Sequence, residues 1–188
     1  STYTVKGITS YEEGVCFIED VYRLVNEIDN VFIVIKEKKE MALHMQLEPV
    51  LGQKLTDLYT EMEKHPRIKI LTNEFDSSLL MANADMCISF PFTSTTTEAL
   101  SANLKSIWHD PGEQYRNTPY GQNTKSVTFG YKELKAKVME IKDMPSDTYK
   151  TPIPLDSNLL DPFRDGKAVD RFRDLLVSGN DGNWAILN

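Results

Sequence analysis

Between Ile88 and Leu100 the chain reads "ISFPFTSTTTEAL", with hydroxyls at Ser89, Thr93, Ser94, Thr95, Thr96 and Thr97 gathered around Pro91 and followed by Glu98. An apolar run precedes the stretch and a helix-like run follows it. A strand therefore ends here and a helix begins. The first turn of a helix carries unpaired backbone N–H groups and the positive end of the helix dipole, and phosphate binds there readily. Serine and threonine add donors without bulk or negative charge. In the plainer reading, Thr93 or Ser94 caps the helix and the other hydroxyls are solvated. Taken as a cluster, Thr93, Ser94, Thr95 and Thr96 are better explained as a phosphate site. Glu98, placed in the first helical turn, has two readings: a favourable contact with the helix dipole, or an acceptor for the hydroxyls of a ribose.

Other polar groups stand just after apolar runs, where strands end: Gly7, Lys36 and Lys38 of "KEKK", Glu74, Ser89 and His109. In an open parallel sheet ligands bind outside the carboxyl ends of the strands. Lys36 or Lys38 at such an edge can face a ligand phosphate or carboxylate, although a charge run is more often a solvated face. His109 can face the same crevice or be a satisfied polar residue at a strand end. His65-Pro66 stops a helix on the opposite edge, and His44 has no visible partner. No histidine–cysteine spacing suggests zinc. Glycine-rich dinucleotide and P-loop motifs are absent, as is a nucleophile elbow. No metal is expected, and no catalytic residue is assigned.

These groups need elements to hold them. "TYTVKG" reads as a strand ending at Gly7. Ser10 and Glu13 form a capping-box pattern ahead of "VCFIEDVYRLVNEI", whose Val15, Ile18, Val21, Tyr22, Val25 and Ile28 recur at helical spacing. Val31 to Ile35 is a continuous β-branched run, as expected of a strand buried on both faces. A helix over about Gln46 to Lys64, a strand "RIKILT", a short helix over about Asp76 to Met81 and a strand "DMCISF" follow. Then come a helix over about Ser94 to Ala102, a strand "KSIWHD", a short strand "SVTF" and a helix "GYKELKAKVMEIK" with a basic outer face. Alternating strands and helices predict an α/β fold: a doubly wound, Rossmann-like parallel sheet occupying residues 1–143. Residues 144–166 are proline-rich and read as an extended linker. Residues 167–188 read as a last helix, over about Lys167 to Ser178, and a tail. That helix carries Val169, Phe172, Leu175 and Leu176 on one side.

With 188 residues the chain has room for one full domain, and its net charge of −7 argues against nucleic acid as a partner. Cys16 and Cys87 both lie in apolar runs and read as reduced core thiols of a cytoplasmic protein. No apolar run approaches the roughly 20 residues of a membrane span. Peripheral attachment at the inner membrane is compatible with this.

At the level of families, "ADMCISFPFTSTTTEALSANLKSIWHDP", Ala84 to Pro111, resembles the donor-binding half of GT-B glycosyltransferases. Within it, "PFTS" at Pro91 to Ser94 looks like the signature of bacterial polysaccharide-biosynthesis proteins named for that motif. It is also similar to the hydroxyl-rich motif of transferases that use CMP-activated sugars such as sialic acid or Kdo. "FIVIKEKK" stands where those enzymes carry a basic or histidine-containing loop, and "LDPFRDGKAVDR" resembles the closing segment of surface-carbohydrate proteins.

The resemblance implies one half of a GT-B fold: the C-terminal, nucleotide-sugar-binding domain of a transferase that builds capsule or lipopolysaccharide. It implies a nucleotide-sugar donor, CMP-linked in the nearest analogy. Thr93 to Thr96 and Lys36 or Lys38 would meet phosphate, and Glu98 ribose. The acceptor, a glycan or glycolipid, would come by way of an N-terminal half. Lys36-Glu37-Lys38 differs from the histidine–proline pair of the CMP-sugar enzymes, which leaves the nucleotide open. Two other classes fit the same residues: a non-catalytic nucleotide-binding domain that docks on a partner, and a sugar-nucleotide epimerase.

Overall fold

The computed structural model describes residues 10–37, 46–91, 93–102, 104–118, 121–122, 126–145 and 165–177. The expected first strand with Gly7 lies outside these residues. So do Lys38, His44, most of the 144–166 segment and the tail. The chain divides into two compact units, Ser1–Ile153 and Pro154–Asn188.

In the first unit, helix α1 (Tyr11–Glu27) begins with the capping box read from the sequence. Glu13 N–H donates to Ser10 Oγ at 3.2 Å, and Ser10 N–H donates to Glu13 Oε2 at 2.7 Å. At the other end of the helix the Arg67 guanidinium donates to the carbonyls of Val25, Ile28 and Val31. A cation thus meets the negative end of the dipole and satisfies carbonyls that the helix itself leaves open. The remaining elements of this unit are β1 (Ile33–Lys36), α2 (Pro49–Met62), β2 (Ile68–Leu71), α3 (Ser77–Ala82), β3 (Met86–Ser89), α4 (Ser94–Ser101), β4 (Lys105–Asp110), β5 (Val127–Phe129) and α5 (Gly130–Ile141).

All strand pairs are parallel, and the fold is α/β and Rossmann-like, with helices flanking parallel sheets. The described strands form two ladders, β1–β2 and β3–β4–β5, where one was expected. Strand β4 is buried along its whole length, and its side chains alternate between faces. Ile107 packs with Leu24 and Ile28 of α1 and with Leu134, Val138 and Ile141 of α5. Trp108 packs with Leu100 of α4, Val127 and Phe129. Helices therefore cover both faces of β4, the doubly wound arrangement. Fully burying a side chain such as Leu24, Ile107 or Leu134 stabilises the fold by roughly 1.5–3 kcal/mol.

The apolar run around β1 departs from expectation. Ile35 is buried with Phe17, Val21 and Val25 of α1 and Met62 of α2, but Phe32 is 61% and Val34 46% exposed. One face of β1 is core and the other is open, because α1 and α2 pack on the same face. Cys16 also differs: it lies on the exposed side of α1, one position off the buried stripe.

In the second unit, α6 (Ala168–Val177) matches the expected last helix. Asp165 precedes it, accepting from Lys167 N–H at 3.0 Å and from Arg171 Nη1 at 2.9 Å on both oxygens. These bonds, the backbone one first, hold the Asp165 carboxyl below its ordinary range. Val169 and Phe172 are exposed.

Candidate functional site

Lys36, Ser89 and Asp110 are the last residues of β1, β3 and β4. The carboxyl ends of both ladders are thus polar at these positions. Beyond Ser89 the chain turns at Phe90-Pro91, where Thr93 N–H donates to the Phe90 carbonyl at 3.4 Å. Helix α4 starts at Ser94, with Thr93 as an extended N-cap residue. The indole Nε1–H of Trp108 donates to the Thr93 carbonyl at 3.4 Å, tying the start of α4 to β4.

The hydroxyls fall into two groups. Ser89 Oγ lies 2.8 Å from Thr93 Oγ1 and 2.6 Å from Thr96 Oγ1. Thr93 Oγ1 donates to the Phe90 carbonyl at 3.0 Å, and Thr96 Oγ1 to the Ile107 carbonyl at 3.3 Å. Ser89 Oγ also lies 3.2 Å from the Phe90 carbonyl, so the three hydroxyls and two carbonyls form one connected network. These three hydroxyls stitch the end of β3 to α4 and β4. Thr96, expected beside phosphate, is 0% exposed: its hydroxyl faces the Ile107 carbonyl of β4.

Ser94 is exposed and Thr95 half-buried, and neither takes part in that network. Thr93 forms no side-chain cap bond, since its hydroxyl is turned to Phe90. The first-turn N–H groups of α4 therefore lack the acceptor that an N-cap side chain ordinarily supplies. An anion at this point would meet backbone donors, the helix dipole and two hydroxyls.

Glu98 is exposed and is the fifth helical residue rather than a first-turn one. At the helical rise of about 1.5 Å per residue it stands ~6 Å along the axis from Ser94. Lys36 is half-buried opposite Leu71. Glu74 is exposed in the turn after β2. His109 is fully buried: Nε2 lies 2.9 Å from Asp20 Oδ2, Nδ1 lies 3.2 Å from Thr128 Oγ1, and its ring is 5.7 Å from that of Phe17. It holds α1 against β4 and does not reach the surface. His65 is structural, as expected, with Nδ1 accepting from Arg67 N–H at 3.1 Å.

Burial pushes the Cys87 thiol up to about 11, against a smaller opposing effect of a hydrogen bond with Thr96. Burial, and behind it the Glu63 charge, raises the Glu37 carboxyl next to Lys36. Among the described residues no group of three or more His, Cys, Asp or Glu side chains has the arrangement of a metal site. No helix of the described residues is long and apolar enough to cross a membrane. Sequence reasoning missed Asp20 as the partner of His109, because 89 residues separate them and no local pattern marks the pair.

Comparison with known families adds one match. The model for the polysaccharide biosynthesis PFTS motif proteins covers residues 9–138, which include every described residue of the α4 site. No curated protein and no solved structure matches the chain.

Proposed function

The chain belongs to the polysaccharide biosynthesis PFTS motif family, and from that premise we propose that it binds the nucleotide-sugar donor of a glycosyltransferase in bacterial surface-polysaccharide synthesis. The observation that carries this reading is the start of α4. It sits at the carboxyl end of β3, its N-cap hydroxyl is turned away, and Ser94 is exposed with Thr95 half-buried beside it. Donor phosphate docks on the N–H groups of that turn and on the hydroxyls of Ser94 and Thr95. Lys36, at the end of β1, offsets phosphate charge, and Glu98 accepts from the ribose.

The chemistry of such a site is electrostatic. As the glycosidic bond to the donor breaks, negative charge grows on the leaving nucleotide, and fixed donors and a dipole stabilise it without reorganising. The hydroxyl chain of Ser89, Thr93 and the buried Thr96 keeps those donors in place. The half-GT-B architecture, a CMP-linked donor and a glycan or glycolipid acceptor presented by another domain belong to this same proposal.

Calorimetric titration with CMP, UDP, GDP and their sugars tests it. One nucleotide class should bind, and Ser94→Ala with Thr95→Ala should weaken it. A hydrogen bond to a charged group contributes about 1.5–3 kcal/mol, so each lost hydroxyl should cost roughly tenfold or more in affinity. Unchanged affinity in the double variant would sink the phosphate assignment.

A further inference from the structure

Two carboxylates outside the α4 site are buried with half of their hydrogen-bonding capacity unused. Glu13 is 6% and Asp110 0% exposed. Glu13 Oε2 accepts from Ser10 N–H at 2.7 Å, and Asp110 Oδ2 accepts from Tyr115 N–H at 2.8 Å. The other oxygen of each, Glu13 Oε1 and Asp110 Oδ1, is closed to solvent and has no hydrogen-bond partner. Neither carboxylate forms an ion pair with a lysine or arginine among the described residues.

Both line one turn. Asp110 opens it, and its carbonyl accepts from Glu113 N–H at 3.4 Å. Glu13 Oε1 stands so close to Gly112 that a Cβ there would come within 2.9 Å of it. A larger residue there would have to displace this oxygen. Tyr115 reports on both carboxylates: burial first, then Glu13 and Asp110, push its phenol up.

A buried carboxylate oxygen without a partner is costly, and two such charges without a counter-charge are more so. A hydroxyl donor would fill a lone pair and leave the charge. A cation answers both. We propose that the turn from Asp110 to Glu113 binds a divalent cation of the magnesium or manganese type through Glu13 Oε1 and Asp110 Oδ1. Such ions use one or two carboxylates and complete their shell with water or ligand phosphate. The cation-binding step stands apart from the nucleotide reading. The two meet only if donor phosphate supplies a remaining ligand.

The test is titration of the full chain with manganese, without nucleotide, followed by the electron paramagnetic resonance of the free ion. One ion should bind per chain. Glu13→Gln and Asp110→Asn each keep the oxygen that accepts a backbone N–H, and each should weaken binding at least tenfold. Paramagnetic broadening in the wild-type chain should centre on the amides of Glu13, Gly112 and Tyr115, which locates the ion even if a variant fails to fold. A free-ion signal that the protein leaves unchanged, or broadening centred elsewhere, would overturn the proposal and leave these oxygens holding a water or a proton. Nucleotide binding measured with a chelator present reports on the α4 site separately.

Discussion

Replacing Thr96 with valine separates the two groups of hydroxyls. Valine matches threonine in shape but cannot donate, so the Ile107 carbonyl loses the bond at 3.3 Å and Ser89 loses the contact at 2.6 Å. Ser89 keeps Thr93 as a partner at 2.8 Å, so one buried acceptor bears most of the loss. Because Ile107 also pairs with β3, the loss is that of one ordinary hydrogen bond, about 0.5–1.5 kcal/mol. Urea unfolding should therefore show Thr96→Val destabilised by that amount with an unchanged dependence on denaturant. Ser94→Ala, at an exposed position, should fall within ~0.5 kcal/mol of the parent protein, as surface changes usually do, and Thr95→Ala should cost less than Thr96→Val. Nucleotide affinity should respond in the opposite order: strongly to the Ser94 and Thr95 changes, and to Thr96→Val only as far as α4 loosens. A Thr96→Val protein as stable as its parent but deficient in binding would refute this division and return Thr96 to the ligand.

Other predictions address the frame of the site. Arg67→Ala strips the carbonyls of Val25, Ile28 and Val31, between the last turn of α1 and β1, of this donor and should cost roughly 2–3 kcal/mol by chemical denaturation. Asp20→Ala leaves the fully buried His109 without its 2.9 Å partner and should cost about 1–3 kcal/mol in the same assay. Cys87 carries a pH dependence. Its folded thiol titrates near about 11, above the ordinary 9.0, so folding favours the protonated form. That contribution is full below the ordinary value and is lost as pH rises from 9.0 toward about 11. Stability measured across this window should fall more steeply for the parent than for Cys87→Ala. In the folded chain at mildly alkaline pH, an alkylating reagent should label the exposed Cys16 well before Cys87.

Much of the fold was legible because local chemistry determines it. The Ser10–Glu13 box and the periodic apolar residues of α1 placed the helix to within a residue. Short apolar runs placed the described strands, and the alternation of strands and helices gave the parallel α/β class. What was not legible depends on contacts across the chain. The β1 run was read as buried on both faces, but whether Val34 is covered depends on which side the helices take, and α1 and α2 take the same side. Cys16 looked apolar by its neighbours yet falls between the buried positions of the helix.

Within the site, the sequence located the hydroxyl cluster and the helix start but could not sort its members. Thr96 turns inward because β4 lies beneath it, and β4 comes later in the chain. Glu98 stands beyond the first turn although α4 starts at Ser94 as expected, because it is the fifth helical residue. Asp20 and His109 are joined only by the fold. Glu13 announced itself as a capping residue, while its second oxygen became visible only when Gly112 was found against it.

The central claim is that an anionic nucleotide sits on the first turn of α4. Backbone amide chemical shifts recorded during titration with the nucleotide selected by calorimetry address it directly. Binding on this turn should move the amides of Ser94, Thr95 and Thr96 first and furthest, with smaller changes at Lys36 and Glu98. Saturable shifts confined to other parts of the chain, with these three amides unmoved, would contradict it.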